Sequence, residues 1–140
     1  MEYQIIKKEE RAQKLQELDG INKRVLQFIQ PVEKFYEAKL IRIDQQPEVL
    51  SEMHEQASDI YLITSGSCKL TLGGELIEKK DLGSGDWLGK GIKDGKVHKI
   101  EEGDMISIPP YTPHMVDLAG GAVSYIVIKV FNRTIEDRLL

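Results

Sequence analysis

The spacing of apolar residues divides the chain into an N-terminal part with helical periodicity and a longer part with strand periodicity. In the N-terminal part the apolar positions are mostly three, four or seven residues apart, as in an amphipathic helix. These positions are Leu15, Leu18, Val25, Leu26 and Ile29. Gly20 divides the stretch into two predicted helices, and Pro31 ends the second because its ring cannot continue a hydrogen-bonded turn. We therefore predict a helical segment over residues 1–36 that packs on the rest of the domain, with a subunit contact as the alternative use of its apolar stripe.

From Lys39 onward, short alternating runs broken by glycine-rich turns predict an all-β sandwich or barrel over residues 37–140. No run is followed by a long helical pattern, which argues against a parallel sheet built from βαβ units. The chain is thus expected to form one structural domain, mainly β. The predicted strands are Ala38–Ile43, Val49–His54, Ile60–Thr64, Cys68–Leu72, Trp87–Ile92, Val97–Ile100, Met105–Ile108, His114–Leu118 and Ala122–Phe131.

Two segments are apolar on both faces, Asp59–Ser65 and Ala122–Phe131. A strand of this kind needs cover on both sides. One face is expected to line the barrel interior, and the other to lie against a second sheet, the N-terminal helices or a partner subunit. We therefore expect a homodimer.

Composition narrows the classes of partner. The chain has 140 residues, enough for one compact domain, and 23 acidic against 19 basic side chains give a formal charge of −4. This charge opposes binding to nucleic acid or to anionic lipid, and no apolar run is long enough for a membrane helix. The single cysteine, Cys68, cannot form an internal disulfide, and the N-terminus lacks the apolar core of a secretory leader. We expect a cytoplasmic protein.

Four side chains carry the candidate chemistry. Glu52 and His54 are two apart in a predicted strand and so share a face. Asp59 follows a short turn, and His114 follows a proline-rich turn that can direct its imidazole towards the same cavity. Two imidazoles and two carboxylates suit a divalent transition metal such as Mn, Fe, Ni, Co or Zn, without selecting one of them. The alternative is that both histidines are core or rim residues without a metal.

At this point the sequence resembles the cupin superfamily, whose motifs are H-x-H-x(3,4)-E-x(6)-G and G-x(5)-P-x-G-x(2)-H. His54, Asp59 and Gly66 fall on the second histidine, the glutamate and the glycine of the first motif. The glycine, proline and histidine of the second motif match Gly103, Pro109 and His114. The resemblance covers roughly residues 38–131 and implies an antiparallel jelly-roll β-barrel of the cupin type, with Glu52, His54, Asp59 and His114 as metal ligands.

Three positions depart from the family pattern. Glu52 stands at the first histidine and Asp59 at the glutamate, so both ligand positions keep an oxygen donor. Tyr111 replaces the glycine of the second motif, where positive φ is uncommon for other residues. Tyr61, Trp87 and Tyr111 are expected to line the ligand pocket, because aromatic walls are usual there.

The resemblance leaves several functions open, because cupins include isomerases, lyases, dioxygenases and plain binding proteins. The first hypothesis is a metal-dependent enzyme that acts on a sugar or organic acid by isomerisation, lyase or oxygenase chemistry. No catalytic residue is assigned, although Glu52 or Glu55 is the most plausible general base. The alternative is a non-catalytic module that binds a small molecule. A purely structural role ranks last, because inward carboxylates are costly to bury without a cation.

Overall fold

The computed structural model describes residues 3–18, 20–29 and 35–132 and shows, within them, a mainly β chain with one short helix. The helix α1 is Lys8–Gln16, and none of its side chains is buried. The strands are β1 Lys23–Ile29, β2 Tyr36–Ile43, β3 Ser51–His54, β4 Ala57–Leu72, β5 Glu75–Leu76, β6 Lys80–Gly83, β7 Asp86–Gly89, β8 Ile92–Lys93, β9 Lys96–Glu101, β10 Met105–Ile108 and β11 His114–Phe131.

Nine strands form one curled antiparallel sheet in which the two longest strands, β4 and β11, lie side by side. β11 also pairs with β2 and β3, and β4 also pairs with β9 and β10. The order β1-β2-β11-β3-β7-β6 completes the sheet, while β5 and β8 form a separate ribbon. Side chains from β4 and β11 supply most of the buried core, including Ile63, Leu70, Val123 and Tyr125. The mainly β, antiparallel barrel architecture expected from the sequence is thus confirmed.

The second predicted helix is wrong, because residues 23–29 form the strand β1. β1 pairs antiparallel with β2, with Lys23 opposite Ile43 and Leu26 opposite Leu40. Valine, phenylalanine and isoleucine in this stretch suit a pleated surface, and the exposed edge of β2 supplies the backbone partners that a helix would otherwise provide. Gly20, with φ of +90°, does separate α1 from the next element. The predicted end at Pro31 lies outside the described residues.

Two of the glycine-rich turns predicted between strands are bends inside single long strands. Residues 64–67 lie within β4 and residues 120–121 within β11, where the pairing with β4 shifts between Leu118 and Val123. Gly66 has φ of +75°, and a Cβ added there would lie 2.1 Å from the Ala122 carbonyl oxygen. Only glycine allows β11 to approach this closely, so the first-motif glycine sets the packing of the two central strands.

The predicted strand over residues 87–92 is in fact two strands, β7 and β8. Gly91, at φ of +142°, separates them, because this backbone conformation suits glycine and interrupts a regular ladder. The short strands β5 and β6 were not predicted, since their sequences lack apolar alternation.

Candidate metal centre

Three strands bring the four expected ligands to one place inside the barrel. Glu52 and His54 are alternate residues of β3, so both side chains point to the same face. His114 is the first residue of β11, and its Cα is paired with that of Glu52. Asp59, near the start of β4, is 3% exposed. Strand alternation and antiparallel register therefore position all four side chains.

The ligand atoms are close enough to share one ion. Asp59 Oδ2 lies 3.3 Å from His54 Nε2 and 3.6 Å from His114 Nε2. Glu52 Oε2 lies 3.8 Å and 3.6 Å from the same two nitrogens. For Glu52, His54 and His114, one ligand atom from each lies within 4.8 Å of the other two. Two imidazoles with one or two carboxylates form a donor set suited to divalent transition metals.

Hydrogen bonds at the outer ring nitrogens direct both imidazoles into the site. His114 Nδ1 lies 3.0 Å from the Thr112 carbonyl oxygen. Because a carbonyl can only accept, Nδ1 carries the proton and Nε2 keeps its lone pair. His54 Nδ1 lies 2.9 Å from Asp86 Oδ1, so Nδ1–H donates to that carboxylate. Such partners fix the ring orientation and tautomer of metal-binding histidines.

Two buried polar atoms at the centre have no hydrogen-bond partner among the described residues. They are His114 Nε2 and Asp59 Oδ1. A buried acceptor without a partner costs about 1–3 kcal/mol, and more when it is charged. A cation between the imidazoles and the carboxylates would bind His114 Nε2 and offset the burial of the Asp59 carboxylate. The residues present therefore fit a divalent metal ion.

Electrostatics keep Glu52 ready to act as a ligand. When the His114 ring is protonated in the metal-free protein, its hydrogen bond to Glu52 and its charge lower the pKa of Glu52 to about 2, against burial, which raises it. Burial alone would lower the pKa of His54, but the hydrogen bonds to Asp59 and Asp86 and the charge of Asp59 outweigh it, so the net pKa is raised. Glu52 is thus anionic at neutral pH, as a metal ligand must be.

The expected pocket residues have different positions. Two cavities that share lining residues, named the first and second lobes, have volumes of about 260 Å³ and 270 Å³. Glu52, Tyr61 and Lys23 line both lobes, and Trp87 lines the second. Burial raises the pKa of Tyr61 well above its ordinary value, so its phenol stays protonated.

Tyr111 does not belong to this pocket, which corrects the sequence expectation. Its side chain is 63% exposed and lines neither lobe. Its φ of +63° keeps the left-handed backbone conformation of the motif glycine. The backbone N–H of Tyr111 donates to the His54 carbonyl oxygen at 2.8 Å. The residue therefore joins the proline-rich turn to the strand that carries His54.

Sequence reasoning missed Asp86, because it assigned this residue to the turn before the predicted strand Trp87–Ile92. In the structure His54 and Asp86 are a cross-strand pair of β3 and β7. The sequence carries no direct signal for this pair, because β3 and β7 are distant in the chain and their register is a tertiary feature. Trp87, beside it, donates from Nε1 to Glu55 Oε1 at 3.0 Å.

No family model matches the sequence, and no curated protein matches it at the significance required. Many solved structures match the fold. The cupin domain of Cnp3 from Schizosaccharomyces pombe superimposes with a TM-score of 0.63 and 10% identity, over 89% of this chain and 71% of that one.

Two further matches are FeII HppE and the DMSP lyase DddQ from Ruegeria pomeroyi. HppE matches with a TM-score of 0.57 and 8% identity over 77% of this chain. DddQ matches with a TM-score of 0.56 and 13% identity over 79% of this chain. The chain spans about half the length of each, 50% and 48% respectively. Identities this low establish a shared fold alone.

Proposed function

We propose that this chain, which has the cupin fold, binds one divalent transition-metal ion through Glu52, His54 and His114, with Asp59 as a further ligand. The observation that carries the proposal is the buried His114 Nε2, which has no hydrogen-bond partner among the described residues and lies 3.6 Å from both Glu52 Oε2 and Asp59 Oδ2. Burying these groups is costly unless a cation is present. Mn, Fe, Ni, Co and Zn all accept such donors, and availability helps to select among them.

We propose further that the metal-loaded site acts on a small metabolite, a sugar or an organic acid. A bound divalent ion supplies Lewis-acid polarisation of a substrate carbonyl or hydroxyl. Tyr61 is in contact with both lobes and keeps its proton, so it can donate a hydrogen bond to a substrate oxygen. Trp87 supplies an aromatic wall in the second lobe. Tyr61 and Trp87 would together orient a small substrate beside the four metal-binding side chains.

The reaction class is proposed as isomerisation, elimination or oxygenation. Its support is analogy at the level of the fold, since HppE is described with FeII and DddQ as a lyase. Of the two carboxylates considered as general base, Glu55 already accepts from Trp87 and does not line the cavity. Glu52, with a pKa of about 2, is a poor proton acceptor. We therefore favour Glu52 as a ligand.

The proposed assembly is a cytoplasmic homodimer. Its support is a group of apolar side chains on the outer face of β4, β10 and β11. Leu62 and Met105 are cross-strand partners and are 37% and 70% exposed, and Ile128 and Val130 are each 40% exposed. A second copy would shield this area from water. Within the described residues, no helix is long and apolar enough to cross a membrane.

Metal dependence of turnover tests the catalytic part of the proposal. Protein stripped with a chelator is reloaded with one ion at a time and incubated with a panel of sugars and organic acids, with and without oxygen. Product is followed by NMR. We expect conversion that requires the ion and is lost in His114→Ala. Ligand binding without conversion for every ion would instead support the non-catalytic module.

A further inference from the structure

The second lobe places lysines beside the candidate metal ligands. Three lysines and four carboxylates line it: Lys23, Lys39, Lys129, Glu37, Glu52, Asp59 and Asp86. A divalent cation among the ligands would add two positive charges, and the loaded lobe would then carry a net positive charge. A cavity of this kind favours an anionic ligand.

Only some of these lysines are available to a ligand. Lys39 Nζ is paired with Glu37 Oε1 at 3.0 Å, and Gln27 Nε2 donates to the other oxygen of Glu37 at 2.8 Å. By contrast, no carboxylate in the described part of the chain forms an ion pair with Lys23 or Lys129. Among the described residues, Lys23 and Lys129 are therefore the lysines of this lobe that form no ion pair.

Lys129 is the better placed of the two. It is half-buried on β11, and its Cα is paired with that of Asp59. Lys129, His54 and Asp59 line the same lobe, so the lysine lies beside the candidate centre. Lys23, in the edge strand β1, is exposed and is paired with Ile43 of β2. The β11 partner of Ile43 is Val123, six residues before Lys129.

We infer that Lys129 binds the carboxylate of a small organic acid, and that a second oxygen-containing group of the same molecule faces the four side chains of the candidate metal centre. This inference rests on the proposed metal centre and narrows its substrate class from sugars and organic acids to organic acids. An ammonium held in a partly enclosed lobe gives a stronger hydrogen bond to a carboxylate than a fully solvated one. Lys129 is thereby assigned as a specificity residue.

The test uses two hydroxamate probes that differ only in a distal charge. Succinic acid monohydroxamate carries a carboxylate, and butanohydroxamate is its neutral counterpart. Calorimetry on the zinc-loaded protein gives the affinity ratio of the two probes. A hydrogen bond to a charged group predicts that the wild type binds the charged probe roughly tenfold or more tightly.

The variants identify the source of this preference. Lys129→Met should abolish it, and Lys129→Arg should retain it. Lys69→Met, an exposed position on the outer face, removes the same charge and should leave the ratio unchanged. An equal loss in Lys23→Met would overturn the inference, because the preference would then come from the general field of the lobe.

The two proposals fail in different ways. A wild-type protein that takes up no zinc overturns the metal proposal and this inference with it, and metal analysis of the same sample shows this directly. A zinc-loaded protein whose probe ratio is the same with and without Lys129 overturns this inference alone. Native circular dichroism and zinc content of the variants establish that the comparison is made on folded, loaded protein.

Discussion

Removal of Asp86 provides a sensitive test of how the centre is held. Its Oδ1 accepts from His54 Nδ1 at 2.9 Å, but the side chain is 46% exposed, so solvent screens most of the attraction between charges. The hydrogen bond that orients the ring should therefore matter more than the charge. Loss of such a partner typically weakens metal binding by about 10- to 100-fold, or about 1.4–2.7 kcal/mol.

We expect this loss in Asp86→Ala, measured as the zinc dissociation constant in competition with a chelating dye. Asp86→Asn keeps an oxygen acceptor and should weaken zinc binding by less than about tenfold. Asp81→Ala is the control, because it removes a carboxylate from β6, the neighbour of β7. Asp81 Oδ1 accepts a hydrogen bond from Gly83 N, so this variant should keep zinc affinity near the wild-type value. Wild-type affinity in Asp86→Ala would refute the orienting role.

Three further predictions concern the barrel and the metal-free site. Gly66→Ala should lower the free energy of unfolding by about 1–2 kcal/mol, because a residue with a Cβ is strained at positive φ. Overlap with the Ala122 carbonyl should cost about 1–3 kcal/mol more. Gly120→Ala, with φ of +100° and open space around it, should show only the backbone cost in urea unfolding. The pKa of Glu52 is lowered from 4.5 to about 2, so the ionised carboxylate should stabilise the metal-free protein above pH 4.5, and this stabilisation should be lost towards pH 2. Glu52→Gln should make the free energy of unfolding depend less on pH over this range. An unchanged pH dependence in the variant would contradict the lowered pKa. Burial raises the pKa of Cys68 to about 11, so its thiol should react with a disulfide reagent only after unfolding, and rapid reaction in the native state would contradict its burial.

Strand alternation made much of the barrel predictable, but not its N-terminal edge. Residues 23–29 have apolar spacing compatible with a helix or a strand, and the partner that decided the outcome, the edge of β2, is a tertiary feature. The bend at Gly66 was likewise misinterpreted as a hairpin turn. A glycine flanked by serines indicates a special backbone conformation, but the sequence does not tell whether the chain reverses or merely bends.

The candidate ligands were predictable because spacing within motifs maps directly onto strand faces. Glu52 and His54 two residues apart had to share a face of β3, and His114 had to follow the proline-rich turn. Asp86 and Lys129 could not be found in this way. Each belongs to the site through strand register, since Asp86 lies opposite His54 and Lys129 opposite Asp59.

Metal content tests the central claim most directly. Untagged protein is stripped, reloaded separately with Mn, Fe, Ni, Co and Zn, and freed of excess ion before mass spectrometric metal analysis. The account predicts close to one ion per wild-type chain for at least one metal, and loss of it in the His54→Ala, His114→Ala double variant. His98→Ala removes the remaining histidine, which lines neither lobe, and should keep the ion. A wild-type chain that stays empty with all five metals would contradict the account.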